Sequence, residues 1–438
     1  MPSETRKQMN IGVFVMATGN HFSGWRVPGS LTKAEDFESI AKIAQDAEKA
    51  KYDFVFFADA PTCVPNNHPS YVLKFEPTTL LGGLAARTSK IGLVATVSST
   101  VTEAYNCARM FASLDQMSGG RSGWNVVTTA NQLAYDNYGR AMPAHDDRYL
   151  MATEYLEVVQ GLWDSWEEGN IKADHATGEY VDVSKLHVLN HQGKYYKVRG
   201  PISSSRSPQG QPVIVQAGSS PAGQQFASQF AEAIFTVQHD MAEAIEFRAG
   251  LKALAKSHGR PDNAIKILPG FFPIVGRTEE EAKAKFDELC RYIEPGSATT
   301  LMSARYGHDL SKYPLDGPVP ELPPSDGEQS FARVLLAKAR RENLKLKHIH
   351  DIIALSRGYI LVMGTGKQVA DTMEEWFTSG ACDGFMITPA NFPSALEDFT
   401  ELVLPELRAR GLFREEYEAT TLRGHLGLPV PENRYSKK

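Results

Sequence analysis

The chain has few cysteines and no paired cysteine motif. Four cysteines, at positions 63, 107, 290 and 382, occur among 438 residues, and none belongs to a CxxC pair. This pattern argues against a disulfide framework and against a cysteine zinc site, and it is typical of reduced thiols in an intracellular protein. We therefore expect a cytoplasmic location.

The chain also lacks a basic excess and a long apolar run. Its formal net charge is −6, so no positive field favours nucleic acid as a partner. No apolar segment approaches the roughly 20 residues that span a bilayer. The first ten residues, MPSETRKQMN, lead into a strand without the apolar region of a signal peptide. We therefore expect neither nucleic acid nor a membrane among the partners.

Short apolar runs that alternate with amphipathic stretches make up most of the chain. Eight such runs begin near residues 11, 54, 91, 123, 213, 233, 265 and 384. Continuous apolar strands separated by helices predict a parallel sheet covered by helices. Eight units favour a single α/β domain over residues 1–438, a closed (β/α)8 TIM barrel, although an open doubly wound sheet also fits the pattern.

Two long segments interrupt the alternation and predict insertions in the barrel. Residues 169–210 contain HQGKYYKVRGP, which is typical of a β-hairpin, and residues 296–347 are rich in proline, glycine and charge. Loops of this length in a compact domain are usually lids or binding loops, or are disordered. The second insertion is our candidate for a lid over the active-site mouth.

Polar residues near the ends of consecutive strands are the first candidates for a site. Asp59 ends the second strand, Thr96 lies near the end of the third, and Asn125 lies in SGGRSGWNVVTT on the fourth. The carboxyl ends of barrel strands line the active-site mouth. Each residue alone is compatible with a satisfied strand-end group or, for Asp59, with a helix cap, whereas three on consecutive strands favour a site.

The turn GSSPAG, residues 218–223, predicts a helix start that suits a phosphate. Ser220 is a good N-cap and Pro221 suits the first helical position. The free backbone N–H groups and the dipole of such a helix attract phosphate. Capping alone would also explain Ser220.

The loop HFSGWRVPG, residues 21–29, and two histidine motifs complete the candidates. An imidazole, an indole and a guanidinium on the loop could bind an aromatic ring and an anion, and the alternative is an ordinary loop with one buried tryptophan. Asp146 is a plausible N-cap of the helix that follows it. His145 with Asp146, and the HIH motif at 348–350, are weak metal candidates because no further ligand completes a coordination sphere. We expect no metal.

Several of these segments together resemble one family. HFSGWRVPG, FFAD, LVATVSST, GGRSGWNVVTT, HDDRY, HQGKYYKVRGP, SPQGQPVIVQAGSSPAG and LRGHLGLPVPEN are similar to segments of the bacterial-luciferase-like flavin monooxygenases. The resemblance is to the two-component branch that includes nitrilotriacetate, EDTA, dibenzothiophene-sulfone and long-chain alkane monooxygenases. The segments occur in the family's order and cover nearly the whole chain.

The resemblance implies a monooxygenase that uses reduced FMN (FMNH2) and O2. A separate NAD(P)H-dependent flavin reductase supplies the FMNH2, and a flavin hydroperoxide transfers one oxygen atom to a small organic substrate. His21 and His308 match positions near the reacting face and could act as acid or base, and Trp25 and Arg26 are candidates for substrate contact. The family's flavin contacts match Asp59, Thr96, Asn125, His145, Tyr149, Ser219 and Ser220.

Two alternatives share the fold: a barrel that transfers hydride with a deazaflavin, and a flavin-binding protein without catalysis. A hydrolase is disfavoured because the sequence has no GxSxG nucleophile elbow and no complete metal cluster. The sequence does not identify the substrate. We also expect a homodimer or a larger homo-oligomer.

Overall fold

The computed structural model describes residues 7–65, 67–218, 220–321, 335, 338–339 and 341–436, without the side chains of residues 304 and 305. Within these ranges, no helix is long and apolar enough to cross a membrane.

Eight parallel strands close into a barrel. The strands of the described residues are β1 Asn10–Phe14, β2 Phe54–Phe57, β3 Gly92–Ser98, β4 Ser122–Val127, β5 His191–Gln192, β6 Lys197–Val198, β7 Val213–Ala217, β8 Ala233–Thr236, β9 Lys266–Gly276, β10 Ile360–Thr365 and β11 Gly384–Ile387. The order around the barrel is β1-β2-β3-β4-β7-β8-β9-β11, and β11 pairs with β1. This closure confirms the predicted (β/α)8 TIM barrel. The antiparallel pair β5–β6 confirms the hairpin predicted in the first insertion.

Strand β10 was not predicted from the alternation of apolar runs. It pairs in parallel with the second half of β9, from Phe271 to Gly276, whereas the first half of β9 pairs with β8. The 11 residues of β9 are long enough to serve both neighbours. Three of the six residues of β10 are only half-buried and one is exposed, so the segment lacks the continuous burial of a barrel strand.

Helices cover the outside of the barrel. Most begin with a side-chain cap, as in α1, where the Asp36 carboxylate accepts a hydrogen bond from the Ser39 N–H. The α-helices of the described residues are α1 Phe37–Lys49, α2 Pro69–Val72, α3 Pro77–Ala85, α4 Ala104–Ser118, α5 Gln132–Asn137, α6 His145–Trp163, α7 Pro221–Phe230, α8 Met241–Ser257, α9 Glu279–Arg291, α10 Thr299–Tyr306, α11 Leu346–Ser356, α12 Gly366–Thr378, α13 Ser394–Leu402, α14 Leu404–Ala409 and α15 Leu422–His425.

The start of α6 differs from the sequence pattern, which suggested Asp146 as its N-cap. The helix already begins at His145, and Ala144 occupies the cap position without a side-chain hydrogen bond. The exposed Asp146 carboxylate instead lies 3.0 Å from His145 Nδ1. Its negative charge in the first turn still interacts favourably with the positive end of the helix dipole.

The C-terminal segment closes one end of the barrel. Leu422 packs against Gly92 and Gly123 at the amino ends of β3 and β4. A Cβ at Gly92 would lie 2.4 Å from Leu422 Cδ1, so only glycine allows this close approach. The Arg423 guanidinium ties the segment to the Gln211 carbonyl and to Glu232. The carboxyl ends of the strands therefore form the open end.

The described part of the second insertion has its own small core. It includes α10, a 3-10 turn at Leu310–Lys312 and the start of α11. Its apolar side chains, among them Met302 and Ile349, pack with Phe22 from the loop after β1. Residues 322–334, 336–337 and 340 of the predicted lid lie outside the described residues.

Candidate active site

A cavity of about 480 Å³ opens at the carboxyl ends of the barrel strands. This volume is in the range of sites for drug-sized ligands and cofactors. The second insertion contributes Thr300 and Leu301 from α10 to its lining. Six residues predicted to contact a cofactor also line it: Asp59, Thr96, Asn125, His145, Tyr149 and Ser220.

Two buried amide groups line the wall formed by β3, β4 and β7. Asn125 Nδ2 donates a hydrogen bond of 2.8 Å to Thr96 Oγ1. Asn125 Oδ1 and Gln216 Oε1 are both buried and have no hydrogen-bond partner among the described residues. Buried polar atoms are rarely left unpaired, because the lost hydration costs about 1–3 kcal/mol each. Two orphan acceptors in one wall are therefore what a ligand with N–H or O–H donors requires.

The start of α7, which follows β7, lies across the cavity from the end of β1. Ser220 caps the helix, since its Oγ accepts a hydrogen bond of 3.1 Å from the Gly223 N–H, and Pro221 holds the first position, as predicted. A Cβ at Gly223 would lie 3.2 Å from the Tyr149 hydroxyl, which places that hydroxyl beside the helix start. Ser219, the other residue of the predicted phosphate turn, lies outside the described residues.

The first turn of α6 brings three polar side chains to the same part of the cavity. The His145 and Tyr149 rings, one helical turn apart, have centroids 5.4 Å apart. Arg148, which lies between them in sequence, is 1% exposed and also lines the cavity. Its Nη1 donates to the Pro143 carbonyl, and its Nε has no partner among the described residues. This turn adds a buried positive charge to the cavity.

Asp59 is the carboxylate of the cavity wall after β2. Burial raises the pKa of its carboxyl group, and the nearby Lys74 charge opposes that rise. The Lys74 Nζ atom lies 3.6 Å from Asp59 Oδ1, and both side chains are 20% exposed. Burial therefore favours the protonated form of this carboxyl group, and the lysine favours the ionised form.

A guanidinium and a phenol line the wall above β1. Arg357, 2% exposed, caps the C-terminus of α11 in the left-handed region with φ 55°. Its Nη2 donates a hydrogen bond of 3.1 Å to the Tyr71 hydroxyl, and its guanidinium carbon lies 5.1 Å from the Tyr71 ring centroid and 5.8 Å from the Phe14 ring centroid. Both residues border the cavity.

Four predicted site residues are not among those that line the cavity. His21 is fully buried after β1, and its Nδ1 accepts a hydrogen bond from the Ser23 N–H. Burial lowers the pKa of His21 to about 4. Trp25 is 43% exposed, and Arg26 pairs with Glu294 at 2.6 Å and stacks on the Tyr292 ring. His308, half-buried, follows α10. The roles assigned to these four residues stay predictions.

The polar cavity residues that sequence reasoning missed include Tyr71, Arg148, Gln216 and Arg357. Gln216 could have been found, because it is the one polar side chain in the apolar run VIVQA. Arg148 lies inside HDDRY, next to residues that the resemblance assigned. Tyr71 and Arg357 lie outside the predicted strand ends, and no spacing in the sequence links them.

Comparison with known proteins agrees with the fold. The family model for luciferase-like monooxygenases matches residues 9–383. N-acetyl-S-(2-succino)cysteine monooxygenase of Bacillus subtilis (strain 168) is 45% identical over 437 residues, which cover 99% of each chain. Nitrilotriacetate monooxygenase component A of Aminobacter aminovorans is 41% identical and covers 98% of this chain and 99% of its own.

A solved structure is similar to this chain over the whole barrel and its insertions. The crystal structure of riboflavin lyase (RcaE) with modified FMN and the substrate riboflavin is 35% identical, covers 97% of both chains and superposes with a TM-score of 0.87. The family model covers well over half of the chain, and the relatives match it from end to end. The chain is an enzyme of the luciferase-like monooxygenase family.

Proposed function

We propose that this chain is the oxygenase component of a two-component system that uses FMNH2 and O2. It inserts one oxygen atom of O2 into a small organic substrate, and a separate NAD(P)H-dependent flavin reductase supplies the FMNH2. The observation that carries the proposal is the cavity, which combines a capped helix start with two orphan amide oxygens in a member of a monooxygenase family.

The start of α7 fits the phosphate of FMN. Its backbone N–H groups and the positive end of its dipole face the cavity beside the Tyr149 hydroxyl and the first turn of α6. We assign Ser220, Tyr149, His145 and Arg148 to this end of the cofactor. Ser219 belongs to the same turn and stays part of the proposal.

The β3–β4–β7 wall fits the rest of the flavin. The Asn125 and Gln216 carbonyl oxygens are buried acceptors, and the flavin ring and the ribityl chain both carry donors. Thr96 orients Asn125 by accepting from its Nδ2, so the amide oxygen is the atom left for the cofactor. Asp59 provides a further acceptor on the neighbouring wall.

When bound, reduced FMN activates O2 and delivers one of its oxygen atoms. The chain's own residues orient the substrate and exclude water, which would otherwise divert the oxygen to hydrogen peroxide. Phe14, Phe56 and Phe235 form an apolar cluster at the cavity floor, with ring centroids 5.2 to 5.8 Å apart. Thr300 and Leu301 place the second insertion over the same space, which suits a lid.

The two histidines retain their proposed roles as acid or base. With a pKa of about 4, the His21 imidazole is neutral near pH 7. Because its Nδ1 accepts from the Ser23 N–H, its proton lies on Nε2, which would donate a hydrogen bond. His308 follows α10, whose residues reach the cavity, so a movement of the lid would carry it.

The name of one relative supports a separate partner enzyme. The Aminobacter aminovorans protein is named component A, which supports a division of labour between an oxygenase and a second component. No NAD(P)H site is needed in this chain if the flavin arrives already reduced.

Anaerobic titration tests the cofactor and a reductase-free assay tests the activity. The purified chain should bind FMNH2 more tightly than oxidised FMN. Mixed with O2 and substrate, its complex with FMNH2 should transfer oxygen to the substrate without NAD(P)H, whereas free FMNH2 reduces O2 to hydrogen peroxide without any protein. Absence of FMNH2 binding, or a strict requirement for a deazaflavin, would refute the proposal.

A further inference from the structure

We propose that Arg357 and Tyr71 form a receptor for a carboxylate of the substrate, and that the substrates of this enzyme are small organic acids. This inference rests on the proposed function, because it places a substrate in the space that FMN leaves free. It deepens that function by naming a substrate class and the two residues that select it.

The pair offers donors to the cavity. The Tyr71 oxygen accepts a hydrogen bond from Arg357 Nη2, so the hydroxyl proton must point elsewhere. The described residues offer this proton no acceptor, and Tyr71 borders the cavity. A guanidinium beside a phenol that donates is a receptor for an anion, and the planar fork of arginine matches a carboxylate better than a lysine does.

The position of the pair separates it from the phosphate of FMN. Around the barrel, β1 is the fourth neighbour of β7 in either direction, so the two strands lie on opposite walls. Arg357 packs over Phe14 at the end of β1, whereas the helix start proposed for the phosphate follows β7. The cavity therefore has positive charge at two separated places, and the phosphate accounts for only one of them.

The backbone holds Arg357 firmly at this position. Two residues later, the Tyr359 ring covers Gly270 of β9, where a Cβ would lie 2.3 Å from the ring. The same ring packs against Phe235, with centroids 5.3 Å apart. The loop from α11 to β10 is thus fixed on the barrel, and the guanidinium is preorganised for a ligand.

Asp59 is the acidic residue among those that line the cavity, and a lysine pairs with it. Lys74, which pairs with Asp59, also donates to the Tyr71 backbone carbonyl. The lysine therefore offsets the repulsion that an ionised Asp59 would exert on a bound carboxylate.

Calorimetric titration of the FMN-loaded enzyme tests the receptor. The probes are nitrilotriacetate, N-acetyl-S-(2-succino)cysteine and the neutral triamide of nitrilotriacetate. We expect the wild type to bind at least one acid more tightly than the triamide. Arg357→Met should weaken that acid at least about tenfold, as expected for the loss of a charge-assisted hydrogen bond. Tyr71→Phe should weaken it about threefold, and Arg357→Lys should lie between wild type and Arg357→Met.

Two controls separate this role from a structural one and from a role in flavin binding. Arg140→Met removes an arginine that pairs with Glu103 and does not line the cavity, and it should leave acid affinity unchanged. FMN affinity should also be unchanged in the Arg357 and Tyr71 variants. Three results would each overturn the receptor. They are an acid affinity of Arg357→Met equal to that of the wild type, a loss of FMN affinity in Arg357→Met as large as its loss of acid affinity, and no acid binding by the wild type.

The outcome is separable from that of the proposed function. Acid binding that depends on Arg357, in a protein that transfers no oxygen, would keep the receptor and remove the oxygenase. Oxygen transfer by a protein whose acid binding does not depend on Arg357 would keep the oxygenase and remove the receptor.

Discussion

Replacing Gln216 by methionine should stabilise the protein without flavin and weaken flavin binding. Gln216 is 3% exposed, and its Oε1 is buried without a hydrogen-bond partner among the described residues. An unsatisfied buried polar group costs about 1–3 kcal/mol, and methionine has nearly the same shape with no such group. We expect the free energy of unfolding of the flavin-free Gln216→Met variant to rise by about 1–2 kcal/mol.

The same substitution should reduce FMN affinity about threefold to tenfold, the effect of one lost neutral hydrogen bond. Denaturant unfolding of the flavin-free protein and fluorescence titration with FMN measure the two effects. A gain in the stability of the flavin-free protein together with a loss of FMN affinity would indicate that Gln216 serves flavin binding. Replacing a purely structural residue would instead lower the stability of the protein both with and without flavin.

Gln209 provides a matched control because it is also fully buried but satisfied. Its Nε2 donates hydrogen bonds of 2.8 Å to both Asp115 Oδ1 and the Ser122 carbonyl, and its Oε1 accepts from the Arg423 N–H. Gln209→Met should therefore destabilise the protein by about 3 kcal/mol or more. Two results would contradict a flavin-binding role for the Gln216 amide oxygen. One is a loss of stability in flavin-free Gln216→Met as large as that in Gln209→Met, and the other is wild-type FMN affinity in Gln216→Met.

Three further predictions concern the phosphate and two titratable groups. Riboflavin should bind at least about tenfold more weakly than FMN, because it lacks the phosphate for the start of α7, and equal affinities by fluorescence titration would contradict this assignment. Lys74→Met should raise the pKa of Asp59 further, because it removes the charge that opposes burial, so any acid limb in the pH profile of FMN affinity should move to higher pH and should disappear in Asp59→Asn. Stability should fall as the pH drops from 6.5 toward 4, because the unfolded chain binds a proton that the buried His21 does not, and His21 alone should account for about 2 kcal/mol of the loss at pH 5. His21→Gln should show a flatter dependence in denaturant unfolding at pH 8 and pH 5, and an unchanged slope would contradict the lowered pKa.

The barrel was predictable because its strands are buried on both faces. Such strands are continuous apolar runs, and eight of them were visible in the sequence. Strand β10 escaped because half-exposed residues interrupt the apolar pattern. The cap at Ser220 was predictable from local chemistry alone, whereas the start of α6 lies two residues earlier than expected because Ala144 leaves no signature of a cap.

The site was predictable only where its residues end a strand or begin a helix. Asp59, Thr96, Asn125 and Ser220 meet at one cavity because all parallel strands of a barrel end at the same mouth. Arg357 and Tyr71 meet through long-range packing: 286 positions separate them in sequence, and their contact depends on how α11 and α2 lie over β1. A single sequence contains no local pattern for such a contact.

Isotope labelling during a single turnover decides whether this enzyme transfers oxygen from O2 to an organic substrate. The chain is loaded anaerobically with FMNH2 and with N-acetyl-S-(2-succino)cysteine or nitrilotriacetate, and is then mixed with ¹⁸O2. We expect the organic products to gain one ¹⁸O atom from O2 for each productive turnover. In the control with labelled water and unlabelled O2, we expect that oxygen atom to be unlabelled. Recovery of all the oxygen as hydrogen peroxide with both acids and with a broader panel of small substrates would contradict it.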